Sequence, residues 1–161
     1  MKRFILAAGL VVTACLPMAY VAAHCEVPCG IYDDGARFAA MKEDQATIAK
    51  AIAQIVETAG THDATGHNQL ARWVSTKEAH ATNTQHVIAQ YFMTQRLKPD
   101  AEHYVEKLTA AHTVMVAAMK CKQSADPAMA EALLAAITKF EAAYAGHTHA
   151  AHDATHGDHP H

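Results

Sequence analysis

Residues 34–58, DGARFAAMKEDQATIAKAIAQIVET, decide the fold. Phe38, Met41, Ile48, Ile52 and Ile55 fall on one stripe at three- and four-residue steps, the period of an amphipathic helix. Gly60 supplies a stop. The same reading extends down the chain. Residues 61–68, with Gly66 among them, form a loop. A second helix then runs to about Leu97 and carries Leu70, Trp73, Val74, Val87, Ile88, Tyr91 and Phe92. Lys98-Pro99-Asp100 punctuates, and Asp100 can cap a third helix bearing Tyr104, Leu108, Met115 and Met119. Asp126 and Pro127 have the N-cap and first-turn chemistry of a fourth helix. That helix carries Leu133, Ile137, Phe140 and Tyr144 and is expected to end at Gly146. Four amphipathic helices on short connections bury their stripes best as an antiparallel bundle. The expected class is therefore all-α, with the bundle over 34–145, and no internal repeat points to a solenoid.

Most of the soft and basic side chains in the bundle read as packing or surface. Met41, Met115 and Met119 resemble a soft-ligand set, but methionine at helical spacing belongs to a core. No two of His80, His86, His103 and His112 are spaced i, i+4. The repeated Glu-x-x-His pattern of a carboxylate-bridged di-metal bundle is missing. No basic run interleaved with aromatics suggests nucleic acid.

The first 23 residues read as an export signal. Lys2 and Arg3 form a positive start, Phe4 to Ala14 an apolar run too short to span a membrane, and Val21-Ala22-Ala23 a small-residue cleavage site. A rival is Val12-Thr13-Ala14-Cys15, which resembles a lipoprotein acylation box and would leave a lipidated Cys15 at the terminus. Cleavage after Ala23 shortens 161 residues to 138 and, by removing Lys2 and Arg3, takes the formal charge from −3 to −5. The expected location is exported, periplasmic or extracellular, with no membrane attachment after cleavage. Paired cysteines there usually oxidise.

Cleavage would give residues 24–33, HCEVPCGIYD, a free amine on His24. One short segment then offers an amine, an imidazole and two thiolates. Cys25 and Cys29 have three readings: a local disulfide, half of a zinc site, or a mononuclear site completed by the chain terminus. The placement of His24 directly after the cut favours the third. The His24 amine and the Cys25 backbone nitrogen are two carbons apart, so both can bind one metal in a five-membered ring. The Cys25 sulfur closes a second ring. Cys29 returns to the fourth position if the chain turns at Pro28 and Gly30. A planar N₂S₂ set with an imidazole above it suits Ni(II) or Cu(II) better than tetrahedral zinc. Binding displaces protons, so affinity rises with pH.

At these residues the chain resembles the nickel superoxide dismutase family, whose hook reads His-Cys-x-x-Pro-Cys-Gly-x-Tyr. Trp73 to Glu78 and Tyr91-Phe92 through Lys98-Pro99 are similar to further family segments. The resemblance implies a four-helix bundle, a homohexamer, one nickel ion per subunit, and disproportionation of superoxide to oxygen and hydrogen peroxide. It assigns His24 the amine and axial imidazole, Cys25 its backbone nitrogen and thiolate, and Cys29 the second thiolate. Tyr32 matches the tyrosine that positions substrate and water; a packed ring with a bonded hydroxyl is its plainer reading. The family's axial imidazole is held by a glutamate and an arginine. Here Ala39 and Ala40 stand near the first position, and His80, with Glu78 nearby, at the second. His80 is expected to take the arginine's role. A nickel-delivery protein is a further implied partner.

His147, His149, His152, His156, His159 and His161 follow the last helix. Residues 146–161 are expected to be a disordered tail that gathers metal or only solubilises the chain. Cys121 is left without an intrachain partner and reads as a small buried residue, or as half of an intersubunit disulfide. The competing functional class is an exported, non-enzymatic carrier of nickel, copper or zinc.

Overall fold

The computed structural model describes the backbone of residues 31–153 and the side chains of residues 31–146. The leader, with Cys15, and His24, Cys25 and Cys29 lie outside the described residues, as do residues 154–161. The described chain is helical: α1 Asp34–Thr58, α2 Ala64–His86 continued by a π-helical segment Val87–Arg96, α3 Tyr104–Gln123 and α4 Pro127–Asp153. Each helix packs on two neighbours, α1 on α2 and α4, and α3 on α2 and α4. The side-chain bonds give the directions. Ascending α1, Asp34, Lys42 and Gln45 meet Tyr144, Glu141 and Ala130, which descend α4. Asp34 and Asp44 likewise meet Arg96 and His80. The bundle is antiparallel.

α1 obeys its stripe: Phe38, Met41, Ile48, Ile52 and Ile55 are all buried. So are Leu133, Ile137, Phe140 and Tyr144 of α4. Asp126 accepts from the Ala128 N–H at 2.9 Å, the expected cap. At one end of the bundle Phe38, Phe92 and Phe140 meet with centroids 4.8–5.3 Å apart, and Tyr91 and Tyr144 pack against Phe92. Each such ring pair adds about 0.5–1.5 kcal/mol beyond area burial.

Three expectations fail within the helices. The second helix starts at Ala64, inside the expected loop, because Asp63 caps it through the Gly66 N–H at 2.6 Å. Only glycine fits at position 66: a Cβ there would lie 2.3 Å from Thr61 Cγ2. Val74 is exposed, while Lys77 and Thr84 take interior places on the same helix. Lys77 is 4 % exposed, and its ammonium donates to the carbonyls of Cys121, Lys122 and Ser124 at 2.6–3.1 Å. It satisfies acceptors that the end of α3 leaves open. α3 turns a different face inward. Ala110, Ala111, Val114, Ala117, Ala118 and Cys121 are buried, Tyr104, Leu108 and Met115 flank them, and Met119 is exposed. Small residues there let the backbone approach closely.

The helix ends differ too. α3 begins at Tyr104 rather than after Asp100, because Lys98 to Ala101 close a turn and His103 enters the helix in the left-handed region at φ 57°. α4 continues through Gly146 to Asp153. A single helical glycine costs only about 1 kcal/mol, too little to stop an alanine-rich helix. Cys121 is buried, its thiol donating to the Met129 carbonyl at 3.3 Å. Burial raises its pKa, with Lys77 opposing, so it behaves as a small core residue.

Candidate metal centre and its anchorage

The described chain picks up where the hook ends. Asp33 caps α1, accepting from the Ala36 N–H at 2.8 Å, so the direction of α1 is set at the residue after Tyr32. Asp34 follows in the first turn, where the helix dipole favours a carboxylate. Three side chains from two other helices converge on it with four donor atoms. Arg96 Nε donates to Oδ1 at 2.8 Å and Nη2 to Oδ2 at 2.6 Å, a bidentate pair. The Tyr91 hydroxyl donates to Oδ1 at 2.6 Å and the Tyr144 hydroxyl to Oδ2 at 2.8 Å.

The π segment makes this convergence happen. In an α-helix, residues five apart point about 140° from one another. In a π-helix the i→i+5 bond brings them nearly into line. The Leu97 N–H donates to the Phe92 carbonyl at 2.8 Å, and Thr94 and Gln95 side chains reach the carbonyls of Ala89 and Gln90, each five residues back. Tyr91 and Arg96 therefore share a face and one carboxylate.

Arg96 has a second contact. Its guanidinium carbon lies 4.4 Å from the centroid of Tyr32, and Tyr32 meets Tyr91 edge-on at 6.0 Å. The last residues of the hook are thus held to the aromatic end of the bundle by a stacked cation. Charge and burial oppose each other at Asp34. Burial raises its pKa, but the bonds from Arg96, Tyr91 and Tyr144 outweigh it and hold the carboxyl below its ordinary value. Burial and the Asp34 carboxylate together push Tyr144 up to about 12 and raise Tyr91 further. The bond to Asp34 raises Arg96. The whole set stays in one protonation state through the neutral range.

His80 lies elsewhere. Its Nδ1 is 2.7 Å from Oδ1 of Asp44, whose Oδ2 accepts from Asn83 at 2.7 Å and Thr84 at 3.4 Å. Asp44 is 5 % exposed, whereas the His80 side chain is 38 % exposed. Asp44 is ten residues beyond Asp34, about 15 Å along the helix. The fold therefore separates Tyr32 and His80. The hook can bridge that gap, since the eight residues from His24 to Ile31 span up to about 28 Å extended. Sequence reasoning missed Asp44, Asp34 and Arg96. The one signal for Asp44 was a carboxylate on the apolar stripe, three residues past Met41.

Among the described residues no three of His, Cys, Asp and Glu gather to hold a metal. The donor types expected of the hook, which would gain an amine on cleavage after Ala23, are a backbone nitrogen, thiolates and that amine, and such a set would suit nickel, an ion that accepts soft donors in a plane. A family model described as nickel-containing superoxide dismutase matches residues 19–148, covering both the hook and the bundle. The chain matched no curated protein and no solved structure.

Proposed function

The chain belongs to the nickel-containing superoxide dismutase family, and from that premise we propose that its mature form disproportionates superoxide at an N-terminal nickel hook. Nickel is the cofactor and superoxide the substrate. His24 would hold the ion through its amine and imidazole, Cys25 through its backbone nitrogen and thiolate, and Cys29 through its thiolate, one ion per subunit. Bound there, nickel supplies a Ni(III)/Ni(II) couple, which thiolate and amide donors bring into reach. One superoxide then leaves as oxygen and a second, with two protons, as hydrogen peroxide.

The chain's own residues do the rest. Tyr32 positions substrate and water at the hook, and the observation that supports this is its ring, held under Arg96 at 4.4 Å. That contact makes the tyrosine's place depend on the Asp34 clamp. His80, fixed by Asp44, would support the His24 imidazole in place of the family's arginine. The steric requirement is small, because superoxide is a small anion. A negatively charged chain attracts it only through local positive charge, and Arg37, Arg96, Lys98 and Lys107 lie at the hook end of the bundle. Thiolates beside peroxide are open to oxidation, so metal-free protein should form a Cys25–Cys29 disulfide.

Signal cleavage after Ala23, export, assembly as a homohexamer and loading by a delivery protein complete the proposal. The test uses reduced apoprotein beginning at His24. Added nickel should restore superoxide decay, and the same protein retaining Ala23 should stay inactive. A carrier would bind nickel in both forms without turnover.

A further inference from the structure

Two lysines are buried in the bundle, and they differ in a telling way. Three carbonyls hold Lys77. Lys107, 8 % exposed, has no hydrogen bond or ion pair from its ammonium among the described residues. The aliphatic stem is packed while the ammonium still reaches solvent, which leaves it open to an incoming anion. Lys107 lines a cavity of about 180 Å³ between the end of the π segment and the start of α3, together with Arg96, Lys98, Tyr104 and Tyr144. Among the described residues no carboxylate lines it. Arg96 is neutralised by Asp34 from the other side. The nearby Glu102 and Glu106 meet His103, with side chains 83 % and 59 % exposed. α3 starts at Tyr104, so its positive dipole end adds to the field, and His103 makes no side-chain cap bond there.

We propose that this cavity binds a small inorganic oxyanion, held by Lys107 and Lys98 at the start of α3. Its volume is below the roughly 300 Å³ of sites for organic ligands, which leaves a compact anion as the occupant. Arg96 is a shared wall: one side faces the cavity, the other stacks on Tyr32. An anion here ties residues 98–103 to the π segment and so steadies the clamp under the hook. Two sources share this chemistry, a stable oxyanion such as phosphate and superoxide itself. The second rests on the dismutase reading; the site does not.

The test titrates inorganic phosphate into mature protein, metal-free and nickel-loaded, at constant ionic strength with chloride as control. Binding is followed by NMR shifts and by thermal midpoint. Saturable binding is expected, weakened at least about tenfold by Lys107→Met and kept by Lys107→Arg, as one charge-assisted contact predicts. Lys107→Met should fold about as stably without phosphate, because the methionine keeps the packed stem and the ammonium it removes makes no hydrogen bond or ion pair; Lys107→Gln serves as a second variant. If superoxide uses the same site, phosphate lowers kcat/KM in the wild type and not in Lys107→Met. If kcat/KM stays constant while phosphate binds, the occupant is the stable anion. Absent saturable binding, or binding indifferent to both variants, overturns the site. Inactive nickel-loaded protein that still binds phosphate would overturn the dismutase reading and leave the site standing.

Discussion

Tyr91 and Arg96 donate to the same carboxylate oxygen, Oδ1 of Asp34, at 2.6 and 2.8 Å. Five residues apart, they could not do so from an ordinary α-helix. The π segment thus converts a local backbone irregularity into an anchor, and the anchor holds Tyr32, where the hook joins the bundle. π-helical turns recur at functional sites, and here one carries the arginine that stacks on Tyr32.

Asp34→Asn should cost about 1–3 kcal/mol at neutral pH, through weakened bonds to Arg96, Tyr91 and Tyr144, with the partial exposure of the Asp34 and Arg96 side chains limiting the loss. The pH dependence has a definite sign. A carboxyl held below its unfolded value of about 3.9 adds stability that is full above that pH and lost as pH falls through the folded value. The loss of thermal midpoint below pH about 4 should therefore be shallower in Asp34→Asn than in wild type. Parallel acid limbs would mean that Asp34 is not the linked group.

Lys77→Met should destabilise the bundle by about 2 kcal/mol in urea denaturation, because it leaves carbonyls at the end of α3 without a donor. Wild-type stability in this variant would show that water replaces the ammonium without loss.

These residues also show where the sequence was readable. α1 and α4 were legible because their buried faces are apolar at helical spacing. The interior of α2 was not, since Lys77 and Thr84 are polar and hydrophobicity gives no sign of them. The inner face of α3 is mostly alanine, with Val114 and Cys121, small enough to be overlooked beside Tyr104, Leu108, Met115 and Met119. The family was legible because the residues that carry the resemblance, His24 to Asp33, are contiguous. Asp34 and Arg96, 62 positions apart, meet through a π segment that no residue pattern announces.

His80→Ala tests the support of the axial imidazole. Second-sphere partners of metal ligands typically change affinity or activity by about 10–100-fold, so turnover should fall by about tenfold and the nickel spectrum should change. An unaltered spectrum with unaltered turnover would confine His80 to its bond with Asp44.

Deleting residues 147–161 removes six histidines and spares Tyr144. Nickel loading, measured by metal content, should drop when nickel is scarce and be normal when it is plentiful. Equal loading at both levels would make this segment a solubilising end.

The central claim concerns where the native chain begins, because the proposed site includes an amine that only proteolysis creates. N-terminal sequencing of the mature protein, purified from the organism with its nickel, tests it most directly. The account predicts His-Cys-Glu-Val-Pro-Cys as the first cycles. A chain that starts at Cys15 with attached lipid, or at any residue other than His24, would contradict it.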